Sequence, residues 1–201
     1  MNFFNFKVLG QNLFLLDIDI TFCRNFFKKE DGDDILAELL NDIKWRQEKI
    51  NMYGKELDLP RLTAWYGNDG KTYTYSGIIM KPEPWTPTLL LIKQKVEKIT
   101  KATFNSVLLN LYRDGKDSIS WHSDDEAELG KNPTIASVSF GATRKLVFKH
   151  KFQPNHKMEL ELEHGSLLTM KGTTQHLWKH QVPKTKNPVT ARVNLTFRTV
   201  Y

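Results

Sequence analysis

A single cysteine, Cys23, in 201 residues leaves no partner for an intrachain disulfide. That excludes the cystine frameworks of small secreted domains and suits a reducing compartment, with Cys23 itself read as a small buried hydrophobe. No apolar run approaches the ~20 residues of a bilayer-spanning helix. The opening MNFFNFKVLG lacks the basic start, unbroken apolar centre and small-residue cleavage site of a secretory signal. Internal repeats, low-complexity tracts and long linkers are also missing; YGNDGK and PKTKNP have the length of loops. The expectation is one domain over residues 1–201, monomeric, off the membrane, cytoplasmic or, in a eukaryote, nuclear.

What is present is an ordinary globular composition, 40% hydrophobic and 26% charged, with 29 Lys and Arg against 23 Asp and Glu. The net charge of +6 favours polyanionic partners, because each cation that neutralises a phosphate releases condensed counterions. Many basic proteins bind no nucleic acid, so charge alone does not choose the partner.

Residues 34–43 place Ile35, Leu36, Leu39, Leu40 and Ile43 at helical spacing behind acidic residues. A second helix opens at WTPT, with Thr86 as cap and Pro87 in the first turn, and carries the stripe Leu89, Ile92, Val96, Ile99. From residue 107 the period becomes two, in VLLNLY, ASVSF, RKLVFKH, KMELELE, SLLTM and ARVNLTFRTV. Met158, Leu160 and Leu162 alternate with Glu159, Glu161 and Glu163, as in a sheet with one wet face. Two helices followed by many strands predict an α+β chain with helices against a barrel or double sheet.

Chemistry concentrates in three places. In the last strand Arg192, Asn194, Thr196 and Arg198 share one face and Val193, Leu195 and Phe197 the other. Such a polar face is usually solvated, but two guanidinium forks in a barrel interior would grip a dicarboxylate. Asn110 and Tyr112 share a face of an earlier strand and offer further hydrogen bonds to a carboxylate. In SISWHSDDE, His122 and Asp124 project to one side of an extended segment, which is chelating geometry. A distal histidine would complete two imidazoles and a carboxylate, a set suited to Fe(II); His176 and His180 are both candidates on spacing alone. His150, His156 and His164 read as ordinary surface residues.

The ordered set NLYRDG, WHSDDE, SVSFGATR, GSLLTM, WKH and RVNLTFR resembles the AlkB family of nucleic-acid dealkylases, in particular its eukaryotic-type DNA repair members, over roughly residues 45–201. The resemblance implies a double-stranded β-helix, or jelly roll, over residues 106–201, with an N-terminal extension, helices and a nucleotide-recognition lid in residues 1–105. It implies Fe(II), 2-oxoglutarate and O2, with His122, Asp124 and His180 as catalytic metal ligands. Asn110, Tyr112, Arg192, Asn194, Thr196 and Arg198 fall where the family holds 2-oxoglutarate. Tyr73, Thr74 and Tyr75 lie in the lid, Tyr53, Gly54 and Lys55 match a stretch that touches the substrate strand, and Asp125 matches a base-contacting acid.

On that resemblance the substrate is alkylated DNA or RNA carrying lesions such as 1-methyladenine and 3-methylcytosine. The base is flipped into the pocket, and its oxidised methyl group leaves as formaldehyde. Two other readings share the barrel: an AlkB-like oxygenase acting on RNA or protein, and a catalytically silent nucleic-acid binding module.

Overall fold

The computed structural model describes the backbone of residues 8–9, 17–52, 54–68, 73–75 and 78–201, and the side chains of 17–50, 54–68 and 81–201. Strands β1 (Val8–Leu9) and β2 (Asp19–Cys23) precede helix α1 (Lys29–Asp42). The hairpin β3 (Lys49–Met52) and β4 (Lys55–Asp58), strand β5 (Leu62–Gly67), the hairpin β6 (Tyr73–Tyr75) and β7 (Ile78–Met80), and helix α2 (Pro87–Thr100) follow. The remainder is β8 (Ser106–Tyr112), β9 (Ile119–His122), β10 (Ile135–Gly141), β11 (Arg144–His150), β12 (Lys157–Leu162), β13 (Ser166–Lys171), the short α3 (Thr174–Leu177), β14 (Trp178–Val182) and β15 (Arg192–Arg198).

The strands form two main antiparallel sheets. The major sheet runs β2-β13-β10-β15-β8-β5 and the minor sheet β1-β12-β11-β14-β9. This is the expected jelly roll, with β2 and β5 from the N-terminal half closing the flanks of the major sheet.

Helix α2 forms as its sequence predicts. The Thr86 side chain accepts from the Leu89 N–H at 3.2 Å, Pro87 opens the first turn, and Lys101 closes the helix in the left-handed region at φ 57°. Its buried stripe is Leu89, Ile92, Val96 and Thr100, which corrects the expected Ile99. Thr100 lies four residues beyond Val96 and its hydroxyl donates to the Val96 carbonyl at 3.0 Å, whereas Ile99 is rotated into solvent. Helix α1 starts five residues earlier than residue 34, because Glu30 and Asp31 sit favourably in its first turn. Gly32 is required inside it: a Cβ there would come within 2.4 Å of the His164 ring.

Both helices cover the outer face of the major sheet and enclose one core with Val107, Leu109, Val138, Phe140, Val193, Leu195 and Phe197. A second core fills the space between the sheets, from Leu108, Ile135, Leu146, Phe148, Met158, Leu160, Leu168 and Met170. Every residue of β15 is therefore buried, on both faces. Its polar face cannot be solvated and opens instead onto the interior between the sheets.

The expectation of a surface role for His150 is corrected, while His164 is partly buried. His150 is buried, its Nδ1 accepting from the Phe152 and Gln153 N–H groups at 3.1 and 2.9 Å, so that Nε2 carries the proton to Asp17 at 3.0 Å. His164 is wedged beneath α1 and accepts from the Gly141 N–H at 2.8 Å. His156 is exposed, as expected.

Candidate active site

Strand pairing builds the site. β9 and β14 are neighbours, with His122 directly opposite His180, so their rings stand 4.3 Å apart between centroids. Asp124 follows β9 and is held by its own backbone: its N–H donates to the Gln175 side-chain oxygen at 3.0 Å. Ligand atoms of His122, Asp124 and His180 then lie within 4.8 Å of one another, close enough to hold one metal ion. His180 rather than His176 completes the group; His176 is exposed, and its Nε2 lies 3.4 Å from the Asn132 N–H.

The protonation states suit a metal. The Nδ1–H of His122 donates to the Ser120 carbonyl at 2.8 Å, which leaves Nε2 as its ligating nitrogen. Burial is the main force holding both imidazoles neutral, with the pKa of His122 lowered and that of His180 lowered to about 3. Burial works to raise the Asp124 carboxyl, but the charge and hydrogen bond of Arg198 oppose it and the net direction is down, which keeps it ionised. Arg198 donates from Nη2 to Asp124 Oδ1 at 2.5 Å, and both side chains are almost wholly buried.

That contact joins the triad to the polar face of β15. Asn110, Tyr112, Arg192, Asn194, Thr196 and Arg198 line the same cavity as His122, Asp124 and His180. The major sheet sets their order: Arg192 pairs with Tyr112 and Asn194 with Asn110. Six residues of extended chain separate Arg192 from Arg198, about 20 Å along the strand, so the two guanidinium groups enter from opposite ends and only Arg198 meets the triad.

Arg192 donates from Nη2 to Ser139 Oγ at 2.9 Å, while its buried Nε and Nη1 have no partner among the described residues. Burial draws its pKa down to about 10, against the opposing effect of Tyr112, so it stays cationic at neutral pH. Asn194 donates to Ser137 Oγ at 2.8 Å and Thr196 to Asn194 Oδ1 at 3.2 Å, which fixes the floor between the arginines. A buried cation with two unpartnered donor nitrogens lining a cavity is what an oxygen-rich anion such as a carboxylate would satisfy.

Three supports escaped the sequence. Arg61 is buried and donates from Nε to Asn110 Oδ1 at 2.7 Å. Arg144 closes the Tyr112 end, donating to the carbonyls of Asp114, Asp117 and Pro183 at 3.0, 2.8 and 2.7 Å. Gln175 steadies Asp124, and none of the three had a periodic signal to reveal it.

The expected substrate residues are not gathered in the same way. Gly54 and Lys55 are exposed on the β3–β4 hairpin, and Asp125 is an exposed partner of Lys151 at 2.8 Å. Tyr73, Thr74 and Tyr75 form β6, paired to β7 through Tyr73↔Met80 and Tyr75↔Ile78, but their side chains lie outside the described residues. Tyr53 lies outside them altogether.

A jelly roll that closes two histidines and a carboxylate over an arginine-walled chamber defines the class of non-haem iron oxygenases that use a keto-acid cosubstrate. The chain belongs to the 2OG-Fe(II) oxygenase superfamily, whose family model matches residues 19–198. Within it the chain is similar to the AlkB homologues. It is 46% identical over 185 residues to the human alpha-ketoglutarate-dependent dioxygenase alkB homolog 3, covering 88% of this chain and 64% of that one. It is 42% identical over 184 residues to the mouse DNA oxidative demethylase ALKBH2, covering 87% and 77%. The chain spans 62% to 66% of the length of the alkB homolog 3 relatives. In fold it matches the solved structure of OsALKBH1 with a TM-score of 0.66 at 19% identity, over 90% of this chain and 97% of that one.

Proposed function

We propose that this chain is an oxidative dealkylase of nucleic acids, acting on 1-methyladenine and 3-methylcytosine in DNA, and in RNA as the alternative substrate. The observation that carries the reading is the single cavity shared by His122, Asp124, His180 and the half-satisfied Arg192. The alkB homolog 3 and ALKBH2 relatives, the latter named DNA oxidative demethylases, and the net charge of +6 support the substrate class. Among the described residues no helix is long and apolar enough to cross a membrane. We place the enzyme in the cytoplasm or, in a eukaryote, the nucleus, as a monomer of one domain.

The residues present fit the cofactors of the class. His122, Asp124 and His180 would hold Fe(II), which with 2-oxoglutarate and O2 supplies the oxidant that hydroxylates the N-alkyl carbon. Arg192 and Tyr112 would bind the far carboxylate of 2-oxoglutarate, because Arg198 is already committed to Asp124 at the other end. Asn110, held by Arg61, and the Asn194–Thr196 pair would fix its orientation across the floor. Leu108, Leu146 and Leu168 wall the chamber against bulk water.

Tyr73 and Tyr75 are assigned to the extruded base, with Asp125 at its polar edge, and Tyr53, Gly54, Lys55 and Thr74 to the strand that carries it. A base methylated on its pairing edge is the least costly to extrude.

The test is release of formaldehyde and succinate from 1-methyladenine oligonucleotides, as single- and double-stranded DNA and RNA, with Fe(II), ascorbate and 2-oxoglutarate. Release requiring both iron and 2-oxoglutarate supports the reading. No release from iron-loaded protein with any of the four would move the weight to a silent binding module or a protein substrate.

A further inference from the structure

The outer face of the minor sheet carries a row of lysines with no function in the chamber. In the register of the sheet Lys149 on β11 stands opposite Lys157 on β12 and opposite Lys179 on β14. Three like charges thus sit side by side on adjacent strands, about 10 Å from first to last at the spacing of neighbouring strands. Like charges directly opposite one another destabilise a sheet, and none of the three makes an ion pair with any described residue. Lys145, further along β11, does have an acid: Glu159 at 3.0 Å. The far end of this face is balanced, and the end bearing the row is not.

Lysines that guard a sheet against aggregation belong on edge strands. β12, β11 and β14 are interior strands of the minor sheet, so that explanation does not reach this row. Its position relative to the chamber supplies another. Lys179 immediately precedes His180, and Lys149 follows Phe148, which pairs with His180. The row therefore ends behind β14, the strand that carries His180, and beyond it lies edge strand β9, where Trp121 is exposed in the irregular stretch between the His122↔His180 and Ile119↔Val182 pairs, on the opposite side of the strand from His122. Three positive charges abreast on adjacent strands, with an exposed aromatic ring diagonally beyond the last of them, suit a single-stranded polynucleotide: phosphates on the row and an unstacked base on the ring.

We infer that Lys149, Lys157 and Lys179 form a phosphate-binding track for the single strand flanking the base in the chamber. The inference rests on the nucleic-acid reading above and adds where the flanking strand lies. The track is sequence-blind and contributes to holding the polymer rather than to chemistry on the base.

The experiment compares the full chain with the K149Q/K157Q/K179Q variant, and with K98Q/K101Q/K131Q as a control of equal charge change at exposed sites elsewhere. Binding of a fluorescein-labelled unmodified single-stranded 20-mer is followed by anisotropy across a salt series. Turnover is measured on a methylated trinucleotide and a methylated 20-mer. Loss of three phosphate contacts should lower the salt slope by about two and weaken binding on the order of 100-fold in 0.1 M salt. KM should rise for the 20-mer and stay unchanged for the trinucleotide, whose intact turnover also shows that the variant is folded.

An unchanged slope in the track variant, or an equal loss in the control, overturns the track while leaving the dealkylase reading in place. Absence of oligonucleotide binding and of turnover in the unaltered chain overturns both.

Discussion

Replacing Arg192 by methionine should separate cosubstrate binding from folding. The guanidinium is buried, with one hydrogen bond to Ser139 and the Tyr112 ring 5.1 Å away, yet two of its nitrogens have no described partner. In the protein without cosubstrate it is a desolvated charge that only Ser139 and Tyr112 compensate, and an apolar side chain of similar volume in such a place is neutral or stabilising. With 2-oxoglutarate bound the same group completes a charge-assisted pair. Its loss should cost about 3 kcal/mol, roughly 100-fold in Kd. Metal-loaded unaltered protein in cosubstrate at 100 times Kd gains about 2.7 kcal/mol, a rise in Tm of about 5–10 °C for a chain of this size. The Arg192→Met protein should show a Tm without 2-oxoglutarate at least equal to that of the unaltered protein, almost no rise on adding it, and a KM for 2-oxoglutarate raised by a similar factor. A Tm several degrees lower without ligand, together with an unchanged KM, would refute the reasoning and make Arg192 a structural residue.

Gln175→Leu should weaken metal binding about 10- to 100-fold, because the Asp124 N–H loses its acceptor and the carboxylate its aim; titration with Fe(II) or an inert substitute reads this directly, and an unchanged affinity would remove Gln175 from the metal centre. In metal-free protein the His180 pKa lies near 3, below the ordinary 6.5, so as pH falls the unfolded chain takes up the proton first. Stability from this group is complete above pH 6.5 and lost progressively toward pH 3; urea midpoints across that window should fall, and fall less in His180→Gln, with parallel curves refuting the assignment. Thr86→Ala removes the cap of α2 and should cost about 1 kcal/mol in urea unfolding without altering KM for 2-oxoglutarate.

Regular elements were legible wherever one residue type repeats on one face. The alternation in β12 and β15 and the cap of α2 are local facts, and the structure keeps them. The shift from Ile99 to Thr100 shows the limit: over three turns an apolar pattern leaves the rotation of the last turn open, and the hydroxyl bond to Val96 settles it. The metal group was half legible. His122 and Asp124 are close in sequence, but the choice of His180 over His176 depends on how β14 pairs with β9. Arg61 and Arg144 were illegible, because each satisfies its charge through contacts 27 or more residues away. His150 looked like a surface residue because nothing nearby in sequence announces its partner, Asp17, 133 residues distant.

The bond from Arg198 to Asp124 also bears on denticity. With Oδ1 engaged by the guanidinium, Oδ2 is the oxygen Asp124 would offer a metal more readily. Two imidazole nitrogens and that oxygen would supply three protein donors to Fe(II), with room left beside them for the cosubstrates. A carboxylate released from Arg198 could chelate through both oxygens and take up part of that room. On this view a residue that never touches the metal sets how many places around it stay exchangeable.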